Sequence, residues 1–428
     1  MRVKIRASMI LLLPLLMAGS AVAQFQYTPP GGPVEKPVNR KLALDMEAGQ
    51  ARFHLGAVRI APWASVHDVA YVRTLLASSG EKIPADLTAT VGAGFRAYLR
   101  NSPKVTWTAN VLPEYVWWRQ QADRRRVNGR YQLGLHSFFN RLTLEATAGR
   151  EQVLQTVTPE VPVLTSARTD RAEALAEVEV THALFAFTSY AVTQQTNLVD
   201  VERDPLLQSL ALLNRRERVW RGGLRWQPRQ ELSVALGTEG SRVDFERTAL
   251  PRSNSGTSPL LQILVHGHAV GFDGEVVDRS LNTQHGSDFV QFHKVTGRAA
   301  LLFGAKSRVQ GTVYSSRDLV YSLASGYAYL LDDRVGASLV SDLGFHSSGR
   351  LFAETGKDEY TAFTPATPHR ADDVTSLGGQ LNFDLGKGVF AGIQFLRSRY
   401  TSNQPGGDRT FSSAGLTINL LGGRGVLH

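Results

Sequence analysis

The sequence contains no cysteine. That removes disulfide frameworks, cysteine-ligated zinc or iron–sulfur centres and cysteine nucleophiles. It also lacks any run of eighteen or more apolar residues, so it has no helical membrane span. Charged residues make up only 20% of the 428 positions, and polar and aromatic residues are spread too evenly for a disordered polymer. The formal charge is +9, from Lys+Arg 47 against Asp+Glu 38. These cations are dispersed among anions, which argues against a nucleic-acid partner. Length alone suggests two or three domains, yet no linker or charge block divides residues 52–421.

The N-terminus carries an address. Arg2, Lys4 and Arg6 precede an apolar run from Met9 to Ala18, and Ala21-Val22-Ala23 closes it. A basic start, a short apolar core and an A-x-A end describe a cleaved secretory signal peptide over 1–23. Without its three positive charges the chain stands at +6. No cysteine follows, so no lipid anchor is expected. Residues 24–51 form a Pro-rich periplasmic lead, with Pro29-Pro30-Gly31-Gly32-Pro33 and Pro37 and a short helical turn over Lys41–Glu47.

From 52 to 421 the dominant signal is a two-residue period. In Leu87–Leu99 one face is Leu87, Ala89, Val91, Ala93, Phe95, Ala97 and Leu99. The other face is Thr88, Thr90, Gly92, Gly94, Arg96 and Tyr98. Val105–Trp117, Arg171–Thr181, Thr375–Leu385 and Ser413–Leu420 alternate in the same way. Connections fall into two classes. Short ones are expected at Asn101–Lys104, Asn140-Arg141, Arg229-Gln230, Ala305-Lys306, Asp332-Asp333 and Lys387-Gly388. Longer polar ones are expected at Leu76–Ala85, Gln120–Asn128, Thr158–Thr169, Val201–Asn214, Arg247–Ser258, Thr355–Asp372 and Asn403–Arg409.

Short turns at one end and long loops at the other describe an all-β, up-and-down antiparallel transmembrane β-barrel. The spacing gives about eighteen strands, or sixteen if Pro259–Val295 and the region around Asp318 are read differently. A soluble sandwich fits less well. The apolar face is rich in Ala and Gly, acceptable against lipid but poor filling for a dry core. The polar face carries charges that a wet lumen tolerates and a sealed core does not. Aromatics such as Tyr115, Trp117, Trp118, Tyr131, Trp220, Trp226, Tyr327, Tyr329, Phe383 and Phe395 gather toward strand ends, as membrane girdles do.

With a barrel in view, Phe53–Pro62, Ala89–Tyr98, Glu114–Trp118 and the final strand Ser413–Leu421 acquire a further meaning. In these segments the chain resembles the β-barrel porin type-two family of outer-membrane proteins. The resemblance covers most of 52–421 and implies a bacterial outer-membrane location and a link to exopolysaccharide synthesis and export. One departure is the C-terminal tail 422–428, which runs beyond Leu421 where such barrels usually end on an aromatic residue.

No catalytic constellation stands out. Gly92-Ala93-Gly94 lacks the third glycine and helix of a dinucleotide site. His266-Gly267-His268 places two imidazoles on one face without a spaced third ligand, so no metal or other cofactor is expected. The best functional candidates are inward charges lining a lumen: Arg96, Glu114, Glu145, Glu177, Glu179, Arg221, Arg225, Arg298 and Asp384. Arg124-Arg125-Arg126 is a candidate loop site for anions such as lipopolysaccharide phosphate. The expected function is porin-like passage of a polar solute linked to exopolysaccharide export, with no enzymatic activity. Its partners would be outer-membrane lipid and lipopolysaccharide, together with polysaccharide and periplasmic export components. Two rivals remain. One is a plugged scaffold barrel within an envelope complex. The other is an outer-membrane lipid hydrolase, which needs a spaced Ser/His set near the rim that is hard to find in this chain.

Overall fold

The strands form wherever apolar residues alternate with small or polar ones, the two-residue period that sends one set to each face of a sheet. The computed structural model describes residues 40–75, 86–199, 208–246, 252–267, 269–284, 290–304, 307–324, 326–386 and 388–421. The proposed signal peptide, the lead before Arg40, the tail 422–428, the loop at Leu76–Ala85 and His268 lie outside the described residues.

A helix, α1 (Arg40–Gln50), precedes a three-residue strand β1 (Phe53–Leu55). The barrel begins with β2 (Val58–Leu75), β3 (Asp86–Ser102), β4 (Val105–Trp118), β5 (Arg126–Phe138), β6 (Leu142–Thr158) and β7 (Val161–Thr181). It continues with β8 (Leu184–Asn197), β9 (Arg215–Arg229), β10 (Leu232–Phe245), β11 (Asn254–His266), β12 (Val270–Thr283) and β13 (Phe292–Phe303). The last six are β14 (Val309–Tyr321), β15 (Tyr327–Gly344), β16 (Ser347–Ala362), β17 (Ala371–Gly386), β18 (Val389–Ser402) and β19 (Arg409–Leu421). Each pairs antiparallel with its sequence neighbour, and β19 returns to β2, with Leu421 opposite Trp63 and Thr410 opposite Leu75. The result is a closed eighteen-stranded barrel. Strand β1 extends the wall of β2 below the end of β19, with Phe53 opposite Ile60.

Side-chain exposure separates the two faces. Val91 (53%), Leu236 (63%) and Leu351 (56%) stand on the outer wall, whereas Thr90 and Glu239 on the alternate face are almost fully covered. The eight connections between barrel strands at the end nearest α1 are short, and the loops lie at the other end.

Three connection assignments change, the simplest being Thr355–Asp372, which shrinks to 363–370 because Thr355–Ala362 is paired strand in β16. Asp332-Asp333 is not a turn: it lies inside β15, where Asp332 is opposite Asp318 and Asp358 and Asp333 is opposite Arg317 and Lys357. Cations on both sides balance the two carboxylates, so the strand runs through a dipeptide that reads as a breaker. The turn falls instead at Phe345-His346, both with positive φ (49° and 60°), as a tight primed hairpin turn requires. Likewise Thr158–Thr169 is strand and not a long loop. The β6–β7 ladder continues to Thr158 opposite Val161, leaving only Pro159-Glu160 as the turn. Pro162 is tolerated because this part of β7 has no neighbour on its other side: pairing with β8 starts only at Ala167.

Candidate functional site

The barrel interior is defined by two mouths and a band of charge between them. At the loop end, β6 leaves its partner β5 at Gln152 and β7 meets β8 only at Ala167. Residues 153–166 therefore form a free-standing hairpin, with arms of seven residues that reach roughly 24 Å at about 3.4 Å per residue. Its tip crosses to the far wall. Glu160 accepts a hydrogen bond from Ser322 Oγ at 2.7 Å and another from the Leu323 amide, just past β14. Seven strands lie between β6 and β14 on the shorter way round the ring. Arg409 at the start of β19 donates to the Pro159 carbonyl at 2.7 Å, giving the tip a second anchor.

Apolar packing seals the same end. Leu213, Val243, Leu281, Phe292, Tyr321, Tyr329 and Leu331 form one buried cluster, and Val157 of the hairpin and Leu323 pack against it. Arg252, in the β10–β11 loop, is fully covered and donates to the Tyr327 carbonyl at 3.0 Å. Burial pushes its guanidinium down to about 10, while the charge of Glu160 pulls the other way.

At the short-turn end, α1 lies across the mouth. Arg40 Nη1 meets Glu145 Oε1 on β6 at 3.1 Å, Asp45 pairs with Arg100 on β3, and Glu47 accepts from the Tyr98 hydroxyl at 2.8 Å. These contacts join walls three strands apart. The turn expected over Lys41–Glu47 is part of this helix.

Between the mouths, inward positions of β7 to β13 carry opposed charges. Arg221 meets Glu239 at 2.6 Å and Glu275 at 3.2 Å, and Arg279 meets the other oxygen of Glu239 at 3.1 Å. Gln262 donates to Glu275 at 2.6 Å. Across strands whose side chains alternate in direction, Arg221 on β9 can reach Glu275 on β12 only through the lumen side. Arg225 binds Glu177 at 2.6 Å and covers the Phe185 ring at 5.0 Å.

The remaining candidates are dispersed. Arg298 lies directly opposite Glu275 in the β12–β13 register, next to the Arg221 network. Glu114 is almost fully buried on the inner wall and meets His67 Nε2 at 3.1 Å, away from that network. Arg96 sits on the inner face of β3, one inward position from Tyr98. Glu145 is held by Arg40 and also faces His136 at 3.8 Å. Glu179 reaches His182 at 3.4 Å, beside the β7–β8 turn. Asp384 also belongs to a turn rather than a mid-strand position, accepting from the Gly386 amide at 2.9 Å.

The arginine triplet is largely engaged locally. Arg124 is buried over the Trp118 ring, Arg125 Nε donates to the Trp118 carbonyl at 2.7 Å, and Arg126 donates to the Leu198 carbonyl at 2.8 Å. Sequence reasoning missed Glu160, Arg252, Arg279, Glu275 and Arg409. Only Glu275 and Arg279 had a readable signal, as alternate charges in the stretch Gly274–Ser280.

No family model and no curated protein matches the chain in sequence. Solved porins nevertheless share its architecture. A BenF-like porin from Pseudomonas fluorescens Pf-5 aligns with a TM-score of 0.55 at 9% identity, over 86% of this chain and 99% of that one. OccAB3 of Acinetobacter baumannii aligns at 0.51 and 10% identity, over 85% and 98%. OccK2 (OpdF) of Pseudomonas aeruginosa, solved in complex with glucuronate, aligns at 0.51 and 10%, over 86% and 99%. At these identities the likeness is one of fold. The chain has the fold of a porin barrel.

Proposed function

We propose that this protein is an outer-membrane channel for a polar, hydroxyl-rich solute, with exopolysaccharide as the solute class. The observation that carries the reading is the band of opposed charge around Arg221, Glu239, Glu275 and Arg279, set inside a wall whose outer face is apolar. Such a band holds water and exchanges hydrogen bonds with hydroxyl and carboxylate groups as they pass. The porin fold of the solved relatives supports an outer-membrane location. The polysaccharide link rests on the resemblance of Phe53–Pro62, Ala89–Tyr98 and Glu114–Trp118 to the type-two family. Polysaccharide and periplasmic export components are the partners this reading implies.

The deciding experiment is conductance of the purified barrel in planar bilayers, paired with uptake of glucuronate and of neutral and acidic oligosaccharides into liposomes. Stepwise current with uptake of oligosaccharides supports the reading. Current with uptake of monosaccharides alone removes the polysaccharide part. A second reading, a plugged scaffold barrel, is favoured by the crossing of both mouths by the β6–β7 hairpin and α1. It prevails if no current appears even when both crossings are removed.

A further inference from the structure

The outer wall changes character along one line. Toward the loops, β9 presents Trp226, Leu224, Gly222 and Trp220 outward, and then Arg218 and Arg216. Beside it, β10 presents Leu236, Thr238 and Gly240, and then Arg242 and Asp244, with Gly240 opposite Trp220 and Arg242 opposite Arg218. Trp226 and Trp220 are half exposed and lie six residues apart, roughly 20 Å of strand at about 3.4 Å per residue. Trp220 is the last outward aromatic of β9 before its outward positions turn charged, the place of an interface tryptophan. Arg218 and Arg242 therefore stand at headgroup depth, on the loop side of the bilayer.

A cleft of about 630 Å³ opens at this line. Tyr190 and Trp220 form its apolar side, Arg218 and Arg242 its basic side, and Gly240 and Thr257 leave room between them. The sheet itself is loosened here. The β11–β12 ladder stops after Ser255 opposite Asn282 and resumes at Leu260 opposite Val277. Pro259 has no amide hydrogen to offer, and the Ser280 amide turns to Ser258 Oγ at 3.1 Å.

The charge here is lopsided. Arg218 Nη1 and Arg242 Nε both converge on Asp244, at 2.8 Å and 3.0 Å. Arg216 donates to Gln194 at 3.3 Å, and Gln194 in turn donates to Glu246 at 2.6 Å. Arg218 and Arg242 thus share one carboxylate, and Arg216 is linked to Glu246 through Gln194. Among the described residues, no further side chain takes Nη2 of Arg218 or the Nη groups of Arg242. Forked donors of this kind match a phosphate group, which offers several acceptor oxygens.

Resting on the outer-membrane reading above, we infer that this cleft is a binding site for a phosphorylated outer-leaflet lipid. The phosphate lies between Arg218 and Arg242, and an acyl chain runs down over Trp220 and Tyr190. Neither the lumen nor the arginine triplet at 124–126 takes part.

The test is native mass spectrometry of the intact barrel in detergent micelles, titrated with bisphosphorylated lipid A, with the same lipid dephosphorylated, and with inorganic phosphate as competitor. Lipid A should bind at a fixed small number per barrel. The R218A/R242A variant should bind it at least ~10-fold more weakly, the scale of losing one or more charge-assisted hydrogen bonds. Dephosphorylated lipid should bind the native protein as weakly as lipid A binds that variant. Asp244→Asn, which releases both guanidiniums from their carboxylate, should bind lipid A more tightly. Equal binding by R218A/R242A overturns the site. Complete displacement by millimolar inorganic phosphate overturns the lipid as its ligand. A heat-dependent gel shift, recorded for every variant, reports the folded barrel separately, so failure of the membrane-barrel reading appears there and not in the titration.

Discussion

Arg221 is the residue on which the interior depends most directly, because two carboxylates converge on it from strands on the same side of it. Arg221→Ala takes away the cation that Glu239 and Glu275 share, leaving Arg279 on Glu239, Gln262 on Glu275 and Arg298 opposite Glu275. Removing one member of a covered ion network costs about 3 kcal/mol, so the midpoint of urea unfolding in micelles should fall. The same change makes the lumen more negative, and the reversal potential in a salt gradient should move toward cation selectivity. An unchanged reversal potential would place the network outside the conduction path. A second residue-scale prediction concerns the β15–β16 turn. Phe345 and His346 hold left-handed backbone that favours glycine and asparagine, a strain of about 1 kcal/mol per residue. Replacing the pair by Asn-Gly should raise unfolding stability by about 1–2 kcal/mol without changing conductance. Alternation made Arg221, Arg225 and Glu177 legible in sequence as inward charges. Nothing in the sequence told that Glu114 would find His67, or that Arg125 would turn back onto the Trp118 carbonyl. Those outcomes depend on strand register and loop path, which no local pattern encodes.

The two crossing elements differ in how they are held, and so in how they should respond to change. The β6–β7 hairpin is fixed at its tip by polar contacts from Glu160 and Pro159 and along its arm by apolar packing of Val157. Glu160→Ala removes the contacts to Ser322 and Leu323 and leaves the Arg409–Pro159 bond and the arm. Single-channel records should then show larger and noisier current, with the thermal gel shift intact. The helix α1 is held mainly by charge through Arg40, Asp45 and Glu47. Deleting 40–50 should raise mean conductance, and high salt should mimic part of that effect in the native protein through screening. A salt response no larger than that of the bulk electrolyte would mean that these ion pairs do not hold the helix. At this scale the sequence was partly misleading. Pro159 and Pro162 read as loop because proline cannot serve a paired central strand, and the pattern cannot announce that these residues have left their neighbours. The helix, by contrast, was visible as a short turn after the Pro-rich lead.

At the scale of the whole molecule, eighteen strands were readable because a closed wall with an apolar outer face imposes the same period on every strand. Composition and turn spacing then set the count, and errors such as Asp332-Asp333 moved one turn without changing the architecture. Closure itself makes a sharp prediction. Val66 and Ile418 are directly paired across the β2–β19 joint, and the chain has no other cysteine. The V66C/I418C variant should oxidise to a covalent ring that migrates differently from the reduced chain after boiling, with no cross-linked dimers. Formation of dimers would mean that this joint is open.

That joint also dictates an order of events. Trp63 and Leu421 stand at opposite ends of the barrel sequence, so every other neighbouring pair can zip locally before they meet. Until they do, the chain is a ribbon with two bare edges, each a template for pairing with another chain. Assembly of this protein is therefore a race between self-closure and misannealing, and the final thirteen-residue strand decides it.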